Sequence, residues 1–529
     1  MMSKTGKKRD DLLFGGLWVL FTAAFAAFFF LLCCKDSISY DSSYQFFLTD
    51  HDMAGIFKLL PEDYSPPLYS FCLKAFSLIF GVKLIALRAF SIVLFALLFF
   101  VALFPLRRLG GKAVSVIAAV AFLCSSYNLF YGVEIRPTIL AYVMSTCTVT
   151  YAMLVFFDKR KSDIVIFSVF SLASMYTHNV ALIFTFCMYV FFLLASLISK
   201  RKDLFFKYLI SGITVAVLYL PWLFVLLHQL GNVQDYFWTD TEPVFFGYYI
   251  AFVGFSENYL TMVFSYIFIL VLVLAPLINV ILITDKDKLS QASSITRIVS
   301  KKDMKENWPN LKKLLFLFAV TVISITVFYV VTVTVTPIFA VRYLYVFSGA
   351  GIITLSFLFS LCKGKKIMPA VFSVLMALVL ISNVVHEYRY LKTTTKDDLV
   401  TDINALSGGD PVFIHFDEQS LGVMSYTFRG SRHYVSPETD TVLQTFDVFT
   451  TDIRYLNDPD EIWNETDEFY IFNAVNFDNY GITDPAGYYL YFFDDQDIDI
   501  EVVGRYKLPY CNEIGYSYGE NLILRVTHR

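Results

Sequence analysis

Charge is what this chain is short of. Of its 529 residues only 17% are Asp, Glu, Lys or Arg, against about a quarter in soluble domains, and that shortage excludes an ordinary soluble enzyme. Cysteine is sparse: there are eight, and Cys33, Cys34, Cys124, Cys147 and Cys187 lie inside apolar runs, where a thiol behaves as a small hydrophobe. Only Cys511 falls in the polar C-terminal quarter, so no disulfide framework or structural zinc site is expected. Glycine-rich phosphate loops are missing as well. Gly408-Gly409 stands alone and no Gly-x-Gly-x-x-Gly follows a strand, which removes the usual nucleotide-binding signature. The acidic run Asp494-Asp495-Gln496-Asp497-Ile498-Asp499 lacks the glycine and closing glutamate of an EF-hand loop and reads as a solvated face. No small-residue cleavage site follows the first apolar run, which Lys4, Lys7, Lys8 and Arg9 precede, so that run is read as a retained helix.

What is present is apolar sequence in long runs. Hydrophobic residues make up 57% of the chain, and stretches of about 18 to 25 recur from Leu12 to Val385, each long enough to cross a bilayer core. Lys and Arg resist translocation. The basic loops at Arg107-Arg108, Lys159-Arg160-Lys161, Lys200-Arg201-Lys202, 285–313 and Lys363 to Lys366 therefore mark the cytoplasmic side with the N-terminus. Alternating them predicts about eleven transmembrane helices, near 12–34, 84–106, 113–131, 138–157, 164–178, 180–199, 206–228, 258–284, 314–335, 343–361 and 367–386. Phe245 to Phe255 is apolar but too short to span and is assigned to the interface. An odd count places the C-terminal part outside the cytoplasm. The expected class is a polytopic α-helical membrane protein, residues 1–387 with a first outer loop at 35–83, followed by an extracytoplasmic α/β domain at 388–529. In that domain the patterns predict helices at Lys396 to Leu406 and near Gln419 to Tyr426. Strands are expected at Pro411 to Phe416, Glu468 to Phe472, Ile498 to Lys507 and Asn521 to Val526.

Charge is also unevenly placed. From Leu391 onward there are 9 Lys and Arg against 25 Asp and Glu, a net of −16, which leaves +12 on the preceding residues. An acidic soluble domain repels phosphate backbones and argues against nucleic acid as a partner.

Candidate chemistry concentrates where ionisable residues meet helix ends on the outer side. Asp41, in Tyr40-Asp41-Ser42-Ser43-Tyr44, follows the first span by a few residues and can act as a general base toward a hydroxyl at the bilayer surface. Its neighbours Asp36, Asp50, Asp52, Glu62 and Asp63 read more simply as a solvated loop. Glu134 and Arg136, in Tyr131-Gly132-Val133-Glu134-Ile135-Arg136-Pro137, occupy the turn between the third and fourth spans. They read either as an interfacial salt bridge or, through Arg136, as a holder of a lipid phosphate. Arg342 runs against the positive-inside trend; it either snorkels to the interface or meets a phosphate. His178 is either a hydrogen-bonded structural residue or, with Asp63 or Glu62, a ligand of a divalent metal, a pairing that no spacing rule supports. Asn464-Glu465-Thr466 fits a glycosylation sequon.

In order along the chain come the acidic Asp41 segment and Ser65-Pro66-Pro67-Leu68-Tyr69, then Ile79-Phe80-Gly81 with Ala86-Leu87-Arg88, and Glu134-Ile135-Arg136-Pro137. Tyr176-Thr177-His178, Tyr219-Leu220-Pro221-Trp222 with Phe237-Trp238, and Arg342-Tyr343-Leu344 follow. This order resembles the GT-C superfamily of membrane glycosyltransferases, in particular the protein O-mannosyltransferase and aminoarabinose-transferase relatives grouped as family 39. The similarity stops before the C-terminal domain. Two departures stand out: relatives show Asp-Glu where this chain has Asp41-Ser42, and His where it has Ser65 before Pro-Pro. Both weaken the case for a tightly bound metal.

The resemblance implies an inverting transfer of a hexosyl or pentosyl group from a polyprenyl-phosphate-linked sugar donor to a hydroxyl acceptor on a glycan, lipid or protein. It would take place at the outer face of the plasma membrane. By the same resemblance Asp41 would be the base, Arg136, Arg342, Glu134 and His178 would hold the donor phosphate, and Asp63 and Tyr69 would place the acceptor or the loop. No cofactor would be required. The alternatives from other classes are a lipid or glycan flippase, which should show broken spans in matched halves, and a membrane-anchored binding protein acting through its outer domain.

Overall fold

Proline, glycine and polar caps decide where the helices break. In the computed structural model the described residues are 4–33, 38–61, 65–158, 160–233, 301–335, 338, 341–361, 367–392, 394–437, 447–473, 484–493, 497–508 and 521–528. The helical part runs α1 (Lys4–Leu32), α2 (Tyr40–Asp50), α3 (Met53–Leu59), α4 (Leu68–Phe80), α5 (Leu84–Leu103), α6 (Pro105–Cys124) and α7 (Ser126–Val133). It continues through α8 (Pro137–Phe157), α9 (Lys161–Met175), α10 (Asn179–Ile198), α11 (Lys202–Val233), α12 (Lys301–Thr334), α13 (Val341–Leu361) and α14 (Ile367–Lys392). Pro105 and Pro137 each open a helix, the position where the missing N–H costs nothing. Gly111, at φ +84, kinks α6 in a conformation that a Cβ would resist.

Among the described residues six helices are long and apolar enough to span a membrane, or seven when the α6–α7 pair, bent by 57°, counts as one. The expected span at 258–284 and the interfacial stretch 245–255 lie outside the described residues. Helix α8 is the axis of the bundle and is buried along its whole apolar window. A helix apolar on every side belongs in the interior. Its Thr146, Thr148 and Thr150 hydroxyls donate to the carbonyls of Tyr142, Met144 and Thr146, which satisfies them without outside partners. Gly349 on α13 abuts Thr146 with no room for a Cβ, a small-residue contact of the kind that brings membrane helices close.

The first outer loop of the sequence reading is folded here into α2, α3 and α4. Ser39 caps α2 by accepting from the Ser42 N–H, and Asp52 caps α3 by accepting from Gly55. Local capping of this kind is a helix start signal that a charge-based topology reading passes over.

The C-terminal part comprises α15 (Lys396–Leu406), β1 (Val412–His415), α16 (Glu418–Thr427), β2 (Arg432–Val435), β3 (Asp452–Tyr455), a 3-10 turn (Pro459–Asn464), β4 (Glu468–Asn473), α17 (Pro485–Leu490), β5 (Ile498–Tyr506) and β6 (Asn521–His528). The sheet order is β3-β2-β1-β4-β6-β5. The first four strands are parallel, and β6 and β5 close the edge antiparallel. Alternation along β1 sends Val412 and Ile414 to one core and Phe413 to the other, where Leu399 and Ile403 of α15 cover it.

The sheet domain also joins the core of the helical bundle. Leu421, Val435, Val448 and Phe449 belong to the same apolar cluster as α1, α5 and α8. Helix α16 lies against α2 so closely that a Cβ on Gly422 would sit 2.5 Å from Ser43 Oγ and 2.6 Å from Tyr40 Cδ2.

Candidate active site

The segment between α7 and α8 builds one wall of the site. Glu134 and Arg136 both have extended backbones, ψ 143° and 148°, as the proline at 137 requires of the residue before it. In extended chain, residues i and i+2 share a face. Both side chains therefore point at the start of α2, where the first turn presents Asp41.

There the Arg136 guanidinium pairs with the Asp41 carboxylate, and its Nε lies 3.8 Å from Glu134 Oε2. Glu134 Oε2 also accepts from Ser39 Oγ at 2.6 Å and Ser42 Oγ at 2.5 Å, while Ser42 Oγ accepts from the Ile135 N–H at 3.1 Å. Exposure separates the three charged groups: the Glu134 side chain is 2% exposed and Arg136 9%, but Asp41 is 33% exposed. Glu134 is thus the buried anchor of the guanidinium, and Asp41 is the carboxylate an incoming molecule can reach. The N-terminus of α2 adds a partial positive charge beside Asp41. Glu134 Oε1 is buried with no hydrogen-bond partner among the described residues.

Tyr69, buried in the first turn of α4, hydrogen-bonds the Arg136 backbone and packs on Phe90. It supports the Glu134–Arg136 segment from below. The Leu68 N–H donates to Tyr176 O at 3.0 Å, which joins the Pro-Pro turn to the Tyr176-Thr177-His178 corner. His178 caps α10, Nδ1 accepting from the Val180 N–H, and its ring meets Tyr343 edge-on at 5.1 Å. Arg342 stands in the first turn of α13 beside that tyrosine, and its side chain is outside the described residues. Asp63 and Glu62, named as metal partners for His178, also lie outside them. Among the described residues no group of three His, Cys, Asp or Glu side chains is arranged to hold an ion.

Sequence reasoning missed Ser39 and Ser42, whose only signal was a capping serine ahead of an acidic first turn. It also missed the buried stack Tyr142–Tyr345–Tyr131, with centroids 4.2 and 4.6 Å apart, which backs the α7 wall. Ser42 gives the departure from Asp-Glu a physical basis. A glutamate there would set a second carboxylate against buried Glu134.

The far side of α2 is held by the sheet domain. Burial, with Glu418 beside it, pushes the Tyr40 phenol well above its usual range, and its hydroxyl bonds that glutamate. Asp50 at the other end pairs with Arg429 at 2.5 Å and accepts from Thr450 at 3.0 Å. His51 meets Val448 O at 2.9 Å. The helix that carries Asp41 is therefore clamped at both ends.

Fold comparison places this arrangement. The chain is similar to ArnT from Cupriavidus metallidurans in its apo state, with a TM-score of 0.58 at 10% identity over 97% of this chain and 98% of that one. It is similar to the same protein bound to undecaprenyl phosphate, with a TM-score of 0.54 at 11% identity over 99% and 98%. The Archaeoglobus fulgidus oligosaccharyltransferase in complex with Zn and sulfate matches more loosely, at a TM-score of 0.44 and 12% identity over 78% of this chain and 61% of that one. No protein-family model matches the chain, and no curated protein matches it by sequence. The protein shares the fold of ArnT: a membrane-spanning helical bundle followed by a sheet domain.

Proposed function

We propose that this protein is an inverting glycosyltransferase that moves a hexosyl or pentosyl group from a polyprenyl-phosphate donor to a hydroxyl acceptor, with Asp41 as general base. The observation that carries the reading is the triad itself. A part-exposed carboxylate at a helix N-terminus is paired to an arginine that a buried glutamate holds in place. The undecaprenyl phosphate bound to ArnT, which shares the fold, supports a polyprenyl-phosphate donor.

In this reading the donor phosphate docks against Arg136 and competes with Asp41 for the guanidinium, which releases the carboxylate toward the acceptor. Asp41 takes the hydroxyl proton as that oxygen attacks the anomeric carbon from the face opposite the phosphate. The bond from anomeric carbon to phosphate oxygen breaks, its electron pair leaves with polyprenyl phosphate, and the configuration inverts. Arg136, aimed in advance by Glu134, meets the charge developing on the leaving group, a contribution of several kcal/mol in preorganised sites. Arg342 supplies a second cation and His178 shapes the corner beside it, while Tyr69 and Asp63 place the segments around the acceptor. The phosphate is already an activated leaving group, so the step calls for no cofactor.

The N-terminus and the basic helix ends are assigned to the cytoplasm, and the Asp41 end and the sheet domain to the outer face of the plasma membrane. The test is to incubate the purified protein with a panel of polyprenyl-phosphate sugars and a mixed acceptor extract, then measure released polyprenyl phosphate and the product's anomeric configuration. Inverted product from one donor class supports the reading; no release from any donor overturns it.

A further inference from the structure

A second site lies on the other side of α2, at the junction of the bundle and the sheet domain. A cavity of about 520 Å³ opens there. Three cations from three separate segments line it: Lys83 ahead of α5, Lys396 at the start of α15, and Arg429 just past α16. No carboxylate is among its described lining residues. Two of the cations are positioned by aromatic rings. Lys396 Nζ sits 5.3 Å from the Tyr426 ring, and the Arg429 guanidinium lies 5.2 Å from the Phe46 ring while paired to Asp50. Phe46 is five residues past Asp41, about 140° around the helix, so this cavity and the Arg136 site occupy different faces of α2.

Two further observations point to the occupant. Leu84 and Ile85, which line the cavity, form the first turn of α5, and Lys83 before them makes no side-chain cap. The open N–H groups of a 20-residue helix thus face the same space as the cations. Below the cavity, Ile85, Val93 and Phe100 lie exposed along one face of α5, at 48%, 52% and 42%. That apolar stripe descends a helix that is long enough to cross a membrane. Cations and helix N–H groups above a lipid-facing stripe suit an amphiphile with an anionic head.

We propose that this cavity binds the phosphate of an anionic phospholipid, whose chains lie along α5, at a site separate from the one that handles the donor. The proposal goes beyond the transfer reading and does not depend on it. A lipid here would bridge α5, α2 and the sheet domain and so fix the clamp on α2.

The experiment uses the full-length protein in detergent, with phosphatidylglycerol, phosphatidylcholine and inorganic phosphate as probes and native mass spectrometry as the readout. The expected result is retention of phosphatidylglycerol over phosphatidylcholine, with no displacement by an equal concentration of inorganic phosphate. The double variant Lys83→Gln/Lys396→Gln should weaken retention about 30-fold, and Lys83→Gln alone about 5-fold. Lys83 is exposed, so its single variant keeps the test valid if the double variant folds poorly. The exposed pair Lys161→Gln/Lys202→Gln at the opposite end of the bundle should leave retention unchanged. Any one of three results overturns the proposal: equal retention of the two lipids, equal loss in the opposite-end pair, or retention unaffected in Lys83→Gln. Displacement by inorganic phosphate would replace it with a site for free anions.

Discussion

Replacing Ser42 by alanine removes one oxygen and undoes two hydrogen bonds. That hydroxyl donates to Glu134 at 2.5 Å and accepts from the Ile135 N–H at 3.1 Å, so its loss strips one bond from a buried carboxylate and orphans a buried amide. A hydrogen bond to a charged group contributes roughly 1.5–3 kcal/mol, and an unsatisfied buried donor costs roughly 1–3. With partial relaxation the sum is about 3 kcal/mol, or more than a hundredfold in the closed-to-open ratio of the segment. The assay is hydrogen exchange across residues 134–136 in the detergent-solubilised protein, with thermal unfolding alongside. Ser42→Ala should speed exchange at Ile135 by about two orders of magnitude, and Ser42→Thr, which keeps the hydroxyl, should restore protection. Ser42→Glu should be worse than alanine, because it brings a second negative charge to a site that already buries one. Unchanged exchange in Ser42→Ala would refute the claim that this serine organises the wall of the site.

Gly422→Leu has no space against Tyr40 and Ser43; it should loosen the sheet domain from α2, raising protease sensitivity near α16 and lowering the proposed sugar transfer at least tenfold. The Asp50–Arg429 pair is partly exposed, at 30% and 44% of its side chains, so a double-mutant cycle on it should return only about 0.5–1 kcal/mol. Acid should weaken the sheet domain. His415 and His433 face each other at 3.0 Å between Ser420 and the Phe428 carbonyl, and burial lowers both, His433 to about 4 from its ordinary 6.5. The unfolded chain therefore takes up protons first, and stability falls as pH drops from about 6.5 toward 4, by about 2 kcal/mol at pH 5 for His433 alone. Asp417, raised by burial to about 6, acts in the opposite sense and recovers about 1 kcal/mol over the same range. His433→Asn should flatten the fall in melting temperature between pH 7 and pH 5; an unaltered slope would place the acid sensitivity elsewhere.

The helical bundle was legible because hydrophobic length is a strong signal. Nine of the eleven expected spans each match one helix, with longer ends on α1, α11, α12 and α14; the span expected at 113–131 falls across the bent α6–α7 pair, and the eleventh lies outside the described residues. The sheet domain was legible where strands are apolar or alternate, as in β1, β4, β5 and β6. It was opaque at β3, whose Asp-Ile-Arg-Tyr is an edge strand with a polar face, and at the four-residue β2. Asp41, Glu134 and Arg136 stood out in the sequence as charges at helix ends, and the structure brings them together. Their support did not stand out. Ser39, Ser42 and Glu418 are common residues whose roles come from contacts across 92 to 378 positions of chain, which no local pattern encodes. The docking of α16 on α2 was equally hidden, because a glycine inside a helix reads only as a weak point until its neighbour is seen.

The most direct test of the account is the first turnover of a matched polyprenyl-phosphate sugar by wild type and by Asp41→Asn, with donor binding measured separately. The account predicts that Asp41→Asn binds the donor, since Arg136 and Glu134 remain, yet transfers the sugar about 10²- to 10⁴-fold more slowly. Equal first-turnover rates would remove Asp41 from the chemistry and contradict the central claim.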